Sequence, residues 1–249
     1  MEYDFTGKSA LITGSTSGIG RAAAYKLAAA GAHLIISGRD QTRGDATVGA
    51  IREAGGTADF IAAELSDVAS VRNLAARALE LGGGRIDILV NNAGSVPFGP
   101  TTDVTVDEID AVNAVNVKAP FVLVAQLVPG MIAHGSGAIV NISTMVANFG
   151  LPGMALYGSS KAALQLLTKA WAAEFGGSGV RVNAVSPGPT RTEGTAAMGE
   201  GLDQLAATTP AGQPGLADDI ADAIVFLVSD SAQHIHGAIL PVDGGRLAV

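Results

Sequence analysis

The stretch TGSTSGIG, residues 13–20, decides the fold. A short apolar run, KSALIT (8–13), leads into it, and a helical pattern, GIGRAAAYKLAAAG (18–31), leads out. Gly14, Gly18 and Gly20 therefore fall where a strand turns into a helix. Glycine lets the chain turn tightly and lets a ligand approach the backbone. The helix N-terminus then offers unpaired N–H groups and a positive dipole end to a pyrophosphate. A glycine pattern alone is weak, but a strand before it and a helix after it favour a nucleotide-binding turn over an ordinary connection.

Outward from this turn the same alternation repeats. AHLIIS (32–37), ADFIAAEL (58–65), IDILVNN (86–92), GAIVNIS (137–143), VRVNAVS (180–186) and AILPVDGG (238–245) read as strands. Helical patterns separate them: DATVGAIREAG (45–55), SVRNLAARALEL (70–81), a long stretch at 105–133, the run after Tyr157, and DDIADAIVFLVS (218–229). The strands are near-continuous apolar runs, as expected when helices cover both faces of a sheet. Repeated β-α-β units with right-handed crossovers predict an α/β, doubly wound parallel sheet forming a single Rossmann-type domain over residues 1–249. One long segment, 186–215, is rich in Gly, Pro and Thr and reads as irregular. Its length marks a substrate loop at about 188–215.

Composition narrows the partners. The chain of 249 residues has no cysteine and a net charge of −8, with no basic block to track a phosphate backbone, so nucleic acid is not an expected partner. No basic segment followed by an apolar run opens the chain, and no run approaches the ~20 apolar residues of a membrane span, so a cytoplasmic protein without a membrane partner is expected. Of four histidines, His234 and His236 lie together without Cys or carboxylate neighbours, so no metal is expected.

The second strand runs out in LIISGRD. Dinucleotide sites commonly carry an acidic residue here for the ribose hydroxyls. This chain has Gly38 followed by Arg39, which favours NADP(H) over NAD(H), although Asp40 is adjacent and a solvated Arg39 stays open.

YGSSK, residues 157–161, places Tyr157 and Lys161 one helical turn apart on one face. A nearby ammonium favours the phenolate. Bringing a phenol from ~10 to ~7 requires about 4 kcal/mol, which a buried ammonium aided by an oxidised nicotinamide ring would supply. Tyr157 then becomes a general acid or base. A plain surface Tyr-Lys pair is the competing reading. Ser143 in NISTM, at the C-terminal end of a strand, offers a hydroxyl to a substrate oxygen, and NNAG (91–94) ends another strand with small residues. Pro120 follows Asn116 by four residues, so the Asn116 carbonyl loses its helical donor and a kink is expected. A water between that carbonyl and Lys161 would form a proton path.

Together these motifs resemble the short-chain dehydrogenase/reductase family over the whole chain. The resemblance implies a catalytic set of Asn116, Ser143, Tyr157 and Lys161. It implies cofactor contacts at Gly14, Ser15, Ser17, Gly18, Ile19, Gly20, Arg39, Glu64, Leu65, Asn92, Ala93 and Gly94, and from Tyr157 and Lys161. SPGPTRT resembles the family motif in which Pro187, Gly188, Thr190 and Thr192 hold the nicotinamide amide and phosphates. Glu64-Leu65 replaces the family's usual Asp-Val-type pair near the adenine, leaving either Glu64 or Asp67 for that contact. A homotetramer or dimer is the assembly implied, through the helix after Tyr157 and the C-terminal segment.

The implied reaction is hydride transfer between NAD(P)(H) and a small carbonyl or secondary alcohol. In the family's enoyl reductases the matching tyrosine and lysine stand further apart, so the resemblance argues against C=C reduction. Expected pocket residues are Ser95, Met145, Phe149, Met154 and Met198, with Val96, Phe98 and Leu151 beside them. A 3-oxoacyl-(acyl-carrier-protein) reductase ranks second, because an acidic protein with only His134 and Lys169 near the mouth opposes an acidic carrier. A non-catalytic dinucleotide-binding sensor or structural subunit is the alternative of another class.

Overall fold

The computed structural model describes residues 3–249. Seven strands form one parallel sheet: β1 (Ser9–Thr13), β2 (His33–Gly38), β3 (Thr57–Ala62), β4 (Ile88–Asn91), β5 (Gly137–Ile142), β6 (Val180–Pro187) and β7 (Ile239–Val242). Their order is β3-β2-β1-β4-β5-β6-β7. The chain leaves β1 toward β2 on one side and later returns to β4 on the other. That reversal opens a crevice beyond the carboxyl ends of β1 and β4, where open α/β sheets bind ligands.

Alternate strand residues feed two separate cores, as the period of two requires. Ala10, Ile12, Leu34, Ile36 and Val90 pack toward α1 (Gly18–Ala29), α2 (Gln41–Glu53) and α8 (Ala217–Val228). Leu11, Ile35, Leu89, Ile139 and Val182 pack toward α3 (Val68–Leu81), α5 (Ala119–Ala133) and α6 (Ala155–Phe175). The doubly wound sheet expected from the apolar runs is therefore present, with helices on both faces.

Three expectations change in detail. The kink foreseen at Pro120 is instead a widened turn. The helix α4 (Val106–Asn113) passes through a π-turn at Ala114–Lys118 into α5 without a break. The Ala119 N–H reaches back to the Ala114 carbonyl, and this wide loop absorbs the missing N–H of Pro120. The joined helix, Val106–Ala133, spans 28 residues and is long and apolar enough to cross a bilayer, contrary to the reading that no run approaches that length. Its Leu123, Val124, Leu127, Val128 and Met131 are buried in the protein core. The segment 186–215 is not irregular throughout: a short bridge joins Thr190–Arg191 to Gly215–Leu216, and a 3-10 helix (Glu193–Met198) and α7 (Glu200–Ala206) lie between.

Candidate active site

A cleft of about 630 Å³ lies over the C-terminal ends of β1, β2 and β4. Gly14, Ser17, Gly18 and Ile19 line its floor, Arg39, Glu64 and Leu65 one end, and Asn92, Ala93, Gly94 and Ser95 the other. Thr192 reaches in from the loop after β6. The glycine turn is braced from behind: the Asn92 side-chain amide donates to the Thr13 carbonyl (2.9 Å) and the Gly14 carbonyl (3.0 Å). A side chain at Gly20 would lie 2.4 Å from that amide nitrogen and 2.5 Å from the Gly14 carbonyl, so only glycine fits. The cradle suits a dinucleotide, with the first turn of α1 beside its floor.

Not every expected cofactor residue faces the cleft. Ser15 is fully buried, donates to the Ile12 carbonyl (2.7 Å) and accepts from the Ser37 N–H (3.0 Å), so it joins β1 to β2 instead. Pro187 closes β6, and Gly188 presses against the Asp243 backbone. The Thr190 hydroxyl bonds the Gly188 carbonyl (3.0 Å). Glu64 lines the cleft, but its carboxylate accepts from the Ser66 N–H (3.1 Å) and hydroxyl (2.8 Å), which hold it below the usual carboxylate range. Asp67, the other candidate for the adenine, caps α3 through the Ala69 and Ser70 N–H groups. Asp40 likewise caps α2, accepting from the Arg43 N–H (3.0 Å). Thr16 and Arg43 line the cleft and were missed by the sequence reading. Arg43 follows Arg39 by four residues at the start of α2, and that spacing was the available signal.

At the β4 end, the π-turn places Asn116 fully inside. Its side-chain amide donates to the Ser95 carbonyl and the Ser160 hydroxyl (both 2.9 Å), and its oxygen accepts from the Ser95 N–H (2.8 Å). A side chain at Gly94 would lie 3.3 Å from Lys161 Nζ and 3.5 Å from Asn116 Oδ1, so ammonium and amide converge beside this glycine.

Lys161 is 2 % exposed, and Nζ donates to the Ile142 carbonyl at 2.8 Å. Burial alone lowers its pKa to about 8. Tyr157 is partly buried; desolvation raises the phenol above its ordinary value, and a hydrogen bond with the Thr144 side chain acts against that rise. The two adjacent hydroxyls diverge. The Ser143 hydroxyl accepts from Gln165 Nε2 (2.9 Å) and faces the Lys161 carbonyl (3.4 Å), whereas Thr144 bonds the tyrosine.

Of the expected pocket residues, Met145 is buried, and Met154 and Phe149 are half-buried. The Arg246 guanidinium stacks 5.0 Å from the Phe149 ring centre. Met198, Phe98 and Val96 are exposed. Gly153 packs on the Phe98 ring, and the Gly99 N–H bonds the Gly153 carbonyl at 3.0 Å. No group of three metal-ligating side chains occurs among the described residues.

Comparison with known proteins agrees with this geometry. A family model described as enoyl-(acyl carrier protein) reductase matches residues 14–246. A solved short chain dehydrogenase/reductase family protein superposes with a TM-score of 0.91 at 45 % identity, over all of both chains. A short chain dehydrogenase from Burkholderia cenocepacia, in complex with NADP, gives a TM-score of 0.91 at 38 % identity, covering 97 % of this chain and 98 % of that one. The 2,5-dichloro-2,5-cyclohexadiene-1,4-diol dehydrogenase of Sphingobium indicum is 39 % identical over 98 % of each chain. The chain belongs to the short-chain dehydrogenase/reductase family. It is an NAD(P)-dependent oxidoreductase acting on alcohol or carbonyl groups.

Proposed function

We propose that this protein transfers a hydride between NADP(H) and a small, free carbonyl compound or secondary alcohol, with Tyr157 as the general acid or base. Tyr157, against the Thr144 side chain and one helical turn from the buried Lys161 on α6, carries this reading. The bound nicotinamide supplies or accepts the hydride. Tyr157 delivers the proton to the carbonyl oxygen, or removes it from the alcohol. Thr144 presents the hydroxyl that holds the same oxygen, a part first assigned to Ser143, whose hydroxyl is engaged by Gln165. Lys161 supplies positive charge to the tyrosine, and Asn116 fixes the Ser95 backbone next to the ammonium. Burial holds the phenol protonated at neutral pH until a cationic ring lies beside it.

Arg39 and Arg43 at the end of the cleft support the NADP(H) preference. Asp40 is occupied as a helix cap, and no carboxylate ends β2 to bind ribose hydroxyls. The phosphate would meet two guanidinium groups, the geometry that suits it best. Cytoplasmic residence and a homotetramer or dimer complete the proposal. Leu166 on α6 is 68 % exposed, which supports a contact through that helix.

The test is the ratio of kcat/KM for NADPH and NADH over a panel of small ketones, diketones and sugar-derived carbonyls. At least a tenfold advantage for NADPH is expected (about 1.4 kcal/mol). Equal values would overturn the cofactor preference. NADPH binding without turnover of any carbonyl or alcohol would overturn the substrate class.

A further inference from the structure

Three consecutive residues at the end of β5 hold one stripe of α6. The Ile142 carbonyl accepts from Lys161 Nζ, the Ser143 hydroxyl accepts from Gln165 Nε2, and the Thr144 side chain bonds Tyr157. The partners 157, 161 and 165 are spaced four apart, so they share one face of the helix. The proposed chemistry uses Tyr157 and Lys161 and leaves Gln165 without a role.

Gln165 is 8 % exposed and Ser143 2 %, so neither polar group meets bulk water. A buried amide requires a partner, and this one finds it at 2.9 Å. The Ser143 N–H is itself fixed to the Val185 carbonyl of β6 at 2.8 Å. Gln165 is thereby tied to a point of the sheet that cannot drift. Rotating a helix by about 10° moves a side-chain tip by about 1 Å, given a radius of about 5–6 Å. A misplacement of that size costs a reaction up to about a hundredfold.

We infer that Gln165 is a positioning residue: its bond to Ser143 sets the rotation of α6 against the end of β5, and so places Tyr157 against Thr144 and Lys161 beside Ile142. This rests on the reading of Tyr157 as the acid or base. A second tie, from the Asn141 amide to the Thr168 hydroxyl (2.8 Å), holds the helix on the sheet independently. Loss of the Gln165 bond therefore leaves the fold intact.

Gln165→Met keeps the length of the side chain and removes its donor. In the NADP+ complex, the Tyr157 phenolate is followed by ultraviolet absorbance titration as the difference from Tyr157→Phe. No charged group of the chain, Lys161 included, is seen to act on the phenol: desolvation and Thr144 account for its shift, and burial alone for that of the lysine. The midpoint is expected to rise by about half a pH unit or more in Gln165→Met. Ser143→Ala is expected to match it, and the double variant to add nothing, with NADP+ affinity unchanged. A lower melting temperature with an unmoved midpoint would show Gln165 to be a packing residue and overturn the inference. If wild type and Tyr157→Phe titrate alike, the Tyr157 reading itself fails, and the positioning role falls with it. A Tyr157-specific transition that Gln165→Met leaves in place overturns the positioning role alone.

Discussion

Glu193, in the loop after β6, accepts a hydrogen bond of 2.9 Å from the backbone N–H of Gly18, at the first turn of α1. Arg21 of the same helix pairs with the same carboxylate. Two segments separated by 175 residues are thus latched beside the cleft, with the neighbouring Thr192 and Gly194 forming part of its wall. Glu193→Gln should loosen this latch. NADPH dissociation constants measured by nicotinamide fluorescence should rise about fivefold, since a half-exposed ion pair contributes about 1 kcal/mol. Tighter binding in the variant would mean that the carboxylate competes with the cofactor phosphates instead.

The divergence of the two hydroxyls after β5 predicts unequal losses. Thr144→Ala should lower kcat about a hundredfold or more, the scale of losing a group that holds the reacting oxygen. Ser143→Ala should cost about tenfold or less, because Ser143 acts at one remove. Tyr157→Phe should lose at least about a thousandfold while retaining NADPH binding. The reverse order for the two hydroxyls would restore Ser143 to the substrate oxygen.

Removing the arginines should change cofactor choice and little else. Arg39→Ala/Arg43→Ala should weaken NADPH by about tenfold or more and leave NADH within about twofold, as loss of charge-assisted phosphate bonds requires. A parallel loss for both cofactors would place these residues in the fold rather than at the phosphate.

Lys161 makes a prediction about stability. Its pKa in the folded protein is lowered to about 8 from 10.5, so between those values the unfolded chain binds more protons than the folded one. The stability contribution of Lys161 is therefore least below pH 8 and rises as the pH climbs toward 10.5. Against Lys161→Met, the wild type should gain about 3 kcal/mol over that interval, read from urea unfolding at each pH. A constant gap would show that the ammonium is not desolvated. Activity should be lost in the variant at every pH.

Much of the fold was legible because local patterns carried it. The strand-glycine-helix order around Gly14, Gly18 and Gly20 needed no distant partner. The i, i+4 spacing of Tyr157 and Lys161 is a property of one helix. Asn116 was found through Pro120, but its local form was not. A kink and a π-turn answer the same missing N–H, and packing of the buried Asn116 against Ser95 and Ser160 accompanies the second. Glu193 reaches its latch with Gly18 only because the chain folds back on itself across 175 residues.

The doubly wound sheet, the glycine cradle and the Tyr157-Lys161 face were already written in local pattern, since each follows from backbone periodicity within a few residues. Tertiary structure alone decided which hydroxyl meets the tyrosine. Ser143 and Thr144 are neighbours in extended chain, where successive side chains point to opposite sides. Only the docking of α6 shows which side is which: Gln165 takes Ser143, and Tyr157 takes Thr144.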